Sequence, residues 1–168
     1  MLRVPTIYLE TTVFNFYFAD KRNQYFGKTV KYCQDTKRFF DEIMAGRFEP
    51  YTSEYVIAEI ERERNEEHRL EMLKLIAGCN VTILPGGEEI ERLAGLYIEA
   101  DAIPETFPDD ALHIASTTFH GLDFIVSLNF QHIVKDKAIQ ITAQVNKAEG
   151  YKNIGIHEPA EVINDERS

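Results

Sequence analysis

Two adjacent aspartates, Asp109 and Asp110, stand directly before an apolar segment with helical spacing. Pro108 suits the first helical position, where its missing N–H costs nothing, and Thr106 precedes Asp109 by three residues, as in a capping box. The apolar side chains that follow at intervals of one to four residues are Ala111, Leu112, Ala115 and Phe119. The pattern predicts a helix whose first turn holds both carboxylates in charged form. The plainer interpretation is a well-capped helix with no further role.

Other polar side chains are predicted to lie where strands end. Glu10 directly follows the apolar run 6–9, which predicts a buried strand. Ser127 and Asn129 close a second apolar run that begins at residue 124. Ligands of open α/β sheets bind beyond the carboxyl ends of the strands, so we expect these side chains to face a common site.

A further acid, Glu59, falls in the first two turns of a helix that Ser53 is expected to cap. Several carboxylates at one place repel one another and raise each other's pKa unless a cation neutralises them. Mg²⁺ or Mn²⁺, which prefer oxygen ligands, is the expected cation. The reaction that such a site serves best is phosphodiester hydrolysis by an activated water molecule.

Strands and helices alternate along the chain. Apolar runs predict strands over 6–9, 48–52, 81–84, 124–127 and 154–156, and helical spacing predicts helices over 28–45, 68–77 and 88–100, with others after Ser53, around Asp110 and up to Ala148. Pro50 limits the second strand to a sheet edge or to a strand start. The alternation is typical of an α/β protein with a parallel sheet covered by helices. We predict one domain over residues 1–158 and a polar C-terminal tail over 159–168.

Composition narrows the class of protein. The formal net charge of −10 is not the profile of a non-specific nucleic-acid binder. No apolar run approaches the roughly 20 residues that span a membrane. The two cysteines, Cys33 and Cys79, form no metal-finger or disulfide pattern, which indicates a reduced, cytoplasmic protein. The chain contains no GxSxG motif of a serine hydrolase.

One segment, residues 21–38, is basic in this acidic chain. It carries six Lys and Arg residues against the single acid Asp35, with aromatic residues interleaved. Such a mixture can contact phosphates and bases, and Lys28 and Lys31 are the candidates for binding a substrate. An exposed helix surface is the simpler alternative.

Four motifs taken in order resemble those of PIN domains. They occupy residues 7–15, 53–60, 109–115 and 121–130, so the resemblance covers most of the chain. It implies a three-layer α/β/α sandwich with a central, mainly parallel sheet, and a ribonuclease that depends on Mg²⁺ or Mn²⁺. The bacterial proteins it resembles most are VapC-type toxins, which cleave RNA and are silenced by a partner antitoxin. Because PIN domains often pair, the resemblance also implies a homodimer.

The resemblance implies roles for particular residues. By position, Glu10, Glu59 and Asp110 would be the metal ligands, and Asn129 would stand in the place of a fourth acid. Thr12 would be a polar support near the metal, and Ser127 would line the site.

Two departures from the PIN pattern bear on activity. Glu10 stands where most PIN domains have the shorter Asp, and a shift of about an ångström at a reacting centre can cost about 100-fold in rate. Asn129 offers an oxygen but no charge. We therefore expect one firm metal site and a second that is weak or completed by the substrate.

Two histidines lie close to these motifs. We expect His113 to hydrogen-bond to Asp110, three residues before it on the same helix. His132 is expected at the surface.

Three functions remain open at this point. The first is a PIN-type ribonuclease, and the second is a PIN-like protein that binds metal or RNA but has lost cleavage. The third is an interaction module whose acids are only helix caps and solvated charge. Metal dependence separates the first two from the third, and RNA cleavage separates the first from the second.

Overall fold

The centre of the fold is the apolar run Thr6–Leu9, in which Ile7, Tyr8 and Leu9 are fully buried. The computed structural model of the chain describes residues 3–163. In it this run forms a strand that pairs in parallel with a neighbour on each side. An interior strand of a parallel sheet is covered on both faces, which explains why its sequence lacks polar alternation.

The predicted elements are present, and their predicted ends differ from the observed ones by at most two residues. The strands are β1 (Thr6–Leu9), β2 (Glu49–Ser53), β3 (Thr82–Leu84), β4 (Phe124–Val126) and β5 (Gly155–His157). The helices are α1 (Thr11–Tyr17), a short 3-10 helix (Ala19–Lys21), α2 (Lys28–Met44), α3 (Glu54–Glu61), α4 (Glu66–Gly78), α5 (Glu88–Glu99), α6 (Pro108–Phe119), α7 (Asp136–Ala148) and α8 (Pro159–Ile163). Helix α1 had no counterpart in the sequence prediction.

The five strands form an all-parallel sheet in the order β3-β2-β1-β4-β5. The chain moves outward from β1 through β2 to β3, crosses back over the sheet, and continues through β4 to β5. The direction therefore reverses between β1 and β4. Ligand crevices of open α/β sheets form at this switch point, beyond the carboxyl ends of the strands.

Helices cover both faces of the sheet because parallel crossover connections are right-handed. Helices α1, α2 and α8 pack together on one side, and α6 packs on β4 and on α5, which contacts α7, on the other. Across residues 3–163 the eight α-helices and the sheet form a three-layer α/β/α sandwich, as predicted.

Pro50 is accommodated at the start of β2, although β2 lies inside the sheet. It stands opposite Ile7 of β1, whereas pairing with β3 begins only at Tyr51. The proline therefore interrupts no pairing with β3. Of the two predicted placements, the strand start is confirmed and the sheet edge is wrong.

The helix caps agree with the sequence in one case and differ in another. Ser53 caps α3 as predicted, since its hydroxyl accepts hydrogen bonds from two backbone N–H groups of the first turn. The capping box between Thr106 and Asp109 is wrong: Phe107 holds the cap position of α6 and makes no side-chain cap bond. Asp109 instead pairs with Arg62 at 2.8 Å.

The first residues of the predicted polar tail form a helix. Residues 159–163 form α8, which packs on α2 and buries Pro159 and Ile163. Pro159 and Ile163 are four residues apart, which is the spacing of one helix face. The prediction missed this helix because polar residues surround the pair. Residues 164–168 of the predicted tail lie outside the described residues.

The amino ends of β1 and β4 are joined through Asp123. Its carboxylate accepts two hydrogen bonds from Arg3 at 3.0 and 2.9 Å, and one from the Thr6 backbone N–H at 2.8 Å. Lys152 Nζ lies 3.3 Å away. The Arg3 guanidinium, the Thr6 N–H and Lys152 hold the pKa of Asp123 well below its usual range.

We predict that Asp123→Ala lowers the free energy of unfolding at pH 7 by about 1–3 kcal/mol, because a partly buried backbone donor and two cations lose their acceptor. Since the folded pKa is depressed, the stabilisation is full above the ordinary value of 3.8 and is lost as pH falls below it. The measurement is urea unfolding of both proteins between pH 7 and pH 2.

Asp123→Asn is the matched control, because the amide keeps an acceptor for Thr6 but loses the charge. Its stability should approach that of the wild type as pH falls. A gap between them that stays constant down to pH 2 contradicts the electrostatic account.

Candidate functional site

Glu10 lies at the carboxyl end of β1, at the switch point of the sheet. It caps α1, accepting a hydrogen bond from the Thr12 N–H at 3.2 Å. The same oxygen, Oε1, accepts the hydroxyls of Thr12 at 2.5 Å and Ser127 at 2.7 Å. Glu10 is only 2% exposed, and this burial raises the pKa of its carboxyl above the ordinary value, although the hydroxyls and His113 oppose the rise.

The Thr12 and Ser127 hydroxyls also tie β1 to the segment after β4. Thr12 Oγ1 accepts the Leu128 N–H at 2.7 Å, and Ser127 Oγ accepts the Asn129 N–H at 2.9 Å. Both hydroxyl protons are donated to Glu10. The resemblance implied a polar support for Thr12 and a position lining the site for Ser127, and in the structure both hydroxyls hold the Glu10 carboxylate.

Glu59 reaches the same place from α3. Its Oε1 accepts hydrogen bonds from Thr11 Oγ1 at 2.6 Å and from His113 Nε2 at 2.5 Å. Burial acts to raise the pKa of Glu59, but the bond and charge of His113, together with Thr11, outweigh it and the pKa is lowered. Glu59 is therefore the more stably ionised of the two glutamates.

His113 has a different hydrogen-bond partner from the one that its position in the sequence predicted. It is fully buried on α6 and bonds to Glu59, so the predicted bond to Asp110 is wrong. Its other nitrogen, Nδ1, lies 2.8 Å from the Tyr8 hydroxyl, which lies 2.6 Å from Ser53 Oγ. The helical spacing from Asp110 was the available signal, but it could not reveal a partner on α3.

The hydrogen-bond partners of His113 determine which of its ring nitrogens donates and which accepts. Nε2 carries a proton and donates it to Glu59 in both the neutral and the protonated ring. In the neutral ring Nδ1 accepts from Tyr8, whose oxygen accepts from Ser53. Burial lowers the pKa of His113, but Glu59 and the other nearby carboxylates raise it further, so the net direction is upward.

Asp110 faces the same cavity from the first turn of α6. It is 8% exposed, and its Oδ2 lies 2.9 Å from His132 Nδ1. Burial raises the pKa of Asp110, and the bond to His132 opposes the rise. His132 is partly buried by this bond and by the Phe107 ring, so its predicted surface position is wrong.

We call the cavity between these residues the acidic cleft. It measures about 260 Å³ and is lined by residues that include Glu10, Glu59, Asp110 and Asn129. The candidate ligand atoms of Glu10, Glu59 and His113 lie within 4.8 Å of one another. Asp110 lines the cleft but does not belong to that close group. Glu10, Glu59, Asp110 and Asn129 therefore share one cavity, and the fully buried His113 contacts one of its lining residues, Glu59.

A hydrogen bond of the side-chain oxygen sets the orientation of the Asn129 amide. Oδ1 accepts the His132 backbone N–H at 3.0 Å, so the NH₂ group is the end left to face the cavities that Asn129 lines. An amide in this orientation is a donor suited to an anion. The arrangement does not favour Asn129 oxygen as the fourth ligand of a second metal.

The chemistry of the donor set fits a hard divalent cation. Four acidic residues line the cleft: Glu10, Glu59, Glu63 and Asp110. Within residues 3–163 the ion-pair partners of Glu59 and Asp110 are the imidazoles of His113 and His132. Buried carboxylates without a Lys or Arg partner are costly unless another cation neutralises them. Glu10, Glu59 and Asp110 are the residues that could hold it.

Lys28 and Lys31 lie in the first turn of α2, and both are exposed. Lys31 Nζ is 3.1 Å from Asp35 Oδ2 on the same helix. One turn after Lys28, the Tyr32 ring packs on Phe130 at 5.2 Å, which brings this end of α2 beside the loop after β4. Of the two lysines, Lys28 is thus the better placed to contact a ligand near the loop after β4.

No protein-family model matches the chain, and no curated protein matches it in sequence. Among residues 3–163, no helix has both the length and the apolar character needed to cross a membrane.

We predict that Tyr8→Phe lowers the free energy of unfolding by about 1–3 kcal/mol, because it leaves His113 Nδ1 and Ser53 Oγ buried without their shared partner. Chemical denaturation of the metal-free protein measures this. Tyr151→Phe is the control, because its hydroxyl bonds to Glu89 near the surface and its removal should cost less than about 0.5 kcal/mol. Equal effects of the two variants would contradict the role assigned to Tyr8.

Proposed function

We propose that the protein is a metal-dependent ribonuclease that hydrolyses RNA phosphodiester bonds and resembles PIN domains of the VapC toxin type. The observation that carries the proposal is the meeting of three carboxylates, the buried Glu10 and Asp110 and the partly buried Glu59, in one cleft at the switch point of the sheet. Their ion-pair partners in residues 3–163 include no Lys or Arg.

The three carboxylates would hold Mg²⁺ or Mn²⁺, as the resemblance to PIN domains also implies. When bound, such an ion polarises the phosphoryl oxygens and lowers the pKa of a water molecule. The protein's part is to fix the ligands before substrate arrives. Oε1 of Glu10 is held by two hydroxyls and Oε1 of Glu59 by His113, which leaves the second oxygen of each for the cation.

Asn129 supplies a complementary contact. Because its Oδ1 is bonded to the His132 N–H, its NH₂ group can donate to a non-bridging phosphate oxygen. A neutral donor in place of a fourth acid favours one firm metal and weakens a second. It also reduces the repulsion that an anionic substrate meets in the cleft.

The basic start of α2 would contact the RNA backbone beyond the cleft. The chain as a whole carries a charge of −10, so attraction of RNA must come from a local patch. Lys28 lies beside the loop after β4 through the contact of Tyr32 with Phe130. An antitoxin partner, a homodimer and a cytoplasmic location follow from the same resemblance and belong to this proposal.

Two other functions compete with this one. A PIN-like protein without cleavage keeps the metal site, and the departures at Glu10 and Asn129 are what favour it. An interaction module keeps neither metal nor cleavage. Both alternatives are decided by the same experiment.

The deciding experiment is cleavage of a mixed RNA pool with Mg²⁺ or Mn²⁺, alongside calorimetric titration of the metal. We predict that Glu59→Gln and Asp110→Asn each lower the cleavage rate by more than about 100-fold, because loss of a ligand charge forfeits several kcal/mol of transition-state stabilisation. A chelator should abolish cleavage.

Glu61→Gln is the matched control, since Glu61 is exposed on the same helix as Glu59. It should keep wild-type activity. Metal binding without cleavage by the wild type would favour the inactive PIN-like protein. Absence of both would return the acids to structural roles, and two equally tight ions would contradict the single firm site.

We predict that Lys28→Gln weakens RNA binding and lowers the slope of log affinity against log salt by about 1, because one phosphate contact is lost. Lys31→Gln should do less, because Asp35 already partly neutralises Lys31. Binding isotherms at several salt concentrations measure both. Lys147→Gln on α7 is the control, and an effect of Lys28→Gln no larger than this control would remove the basic patch from the proposal.

A further inference from the structure

A second cavity adjoins the acidic cleft at Asp110. We call it the aromatic cleft; it measures about 470 Å³, and its lining residues include Phe107, Leu128, Phe130 and His132. Thr12, Asp110 and Asn129 line both cavities, so the two are adjacent. None of the chemistry proposed above uses the aromatic rings of this second cavity.

The Phe107 ring is unusually placed for a large apolar side chain. It is 47% exposed although it stands at the cap position of α6, next to the first turn that carries Asp110. Its ring lies against that of His132, with centroids 4.1 Å apart and planes inclined by 35°. The two rings form a partly exposed aromatic surface rather than part of the core.

Two hydrogen bonds of His132 connect this surface to the acidic cleft. His132 Nδ1 bonds to Asp110 at 2.9 Å, and its backbone N–H bonds to Asn129 Oδ1 at 3.0 Å. The ring orientation of His132, and with it that of Phe107, is therefore coupled to a proposed metal ligand. A planar group that stacks on these rings would therefore lie next to the acidic cleft.

The other aromatic residue of the cleft, Phe130, is also supported from behind. Tyr32 packs on it with ring centroids 5.2 Å apart, and Phe16 packs on Tyr32 at 5.9 Å. Lys28 lies one turn before Tyr32 on α2. The aromatic cleft is thus lined by the buried carboxylate of Asp110, and Lys28 lies one helical turn from the tyrosine that packs on Phe130.

We propose that the aromatic cleft binds one unpaired nucleobase, stacked on Phe107 and His132, of the nucleotide next to the phosphate held in the acidic cleft. The inference rests on the proposed ribonuclease function and names the contact that selects its substrate. Any base offers a π face to such a surface, whereas a base inside a duplex does not. The amides of Asn129 and Gln131 line the same cavity and can meet the polar edge of the base.

The composition of the cleft favours a base over an apolar side chain of a partner protein. Its apolar rings are interleaved with amides and a carboxylate, and a fully apolar ligand would leave those groups desolvated without partners. A base carries both a flat apolar face and hydrogen-bonding edges. Its attached phosphates would lie toward Lys28 and toward the cation site.

The test is binding of a short single-stranded RNA that carries the fluorescent base aminopurine, whose emission is quenched by stacking. Ca²⁺ replaces Mg²⁺, because it also takes oxygen ligands but relaxes the octahedral geometry. We expect Phe107→Leu to weaken binding by about 5- to 150-fold, the range of base–aromatic stacking, and to remove the quenching. Leucine keeps the site apolar but offers no ring.

Phe119→Leu is the matched control, because Phe119 is 42% exposed at the other end of the same helix and also lies beside a histidine, His120, at 5.1 Å. It should bind like the wild type. An RNA with an abasic residue at the aminopurine position should bind the wild type as weakly as the intact RNA binds Phe107→Leu, and the two changes together should cost no more than either alone.

The outcomes separate this inference from the ribonuclease proposal. If RNA is cleaved with metal but Phe107→Leu and Phe119→Leu bind and quench alike, the base site is wrong and the ribonuclease stands. If no RNA is cleaved but quenching depends on Phe107, the base site stands without cleavage. If neither variant nor wild type binds the RNA, the base site is overturned, and an apolar ligand becomes the remaining occupant.

Discussion

Burial of charged oxygens at one edge of a parallel sheet is the constraint around which the rest of this structure is arranged. Glu10, Glu59 and Asp110 are largely removed from water, and an unpartnered buried carboxylate is expensive. Each of the three carboxylates is hydrogen-bonded to at least one polar side chain. The partners are hydroxyls for Glu10 and imidazoles for Glu59 and Asp110.

The carboxylates at the amino ends of the strands and those at the carboxyl ends have different kinds of partner. At the amino edge, Asp123 is matched by Arg3 and Lys152, so its charge is compensated within the protein and serves to align β1 with β4. At the carboxyl edge the partners are neutral or titratable groups, which orient carboxylates without cancelling them. Asp123 is thus paired with Arg3 and Lys152, whereas the three cleft carboxylates have no Lys or Arg ion-pair partner within residues 3–163.

Helix α6 connects the parts of the site. Its first turn carries Asp110, its next turn carries His113, and its cap residue Phe107 stacks on His132. The helix is anchored to the core by Ala111, Ile114 and Ala115, all fully buried. A packed helix restricts the side chains on its first turn, which is what a site that positions ligands in advance requires.

Much of this protein was determined by its sequence alone. Apolar runs such as Thr6–Leu9 and helical spacing such as that after Pro108 depend on local periodicity, so they predicted the α/β class, the strands and the position of Glu10 and Asp110 at element ends. The partners of these acids were decided only by tertiary structure. His113 bonds to Glu59, and His132 to Asp110, because packing brings together segments 54 and 22 residues apart. Periodicity says which side of a helix is buried, but not which side chain of another element will meet it there.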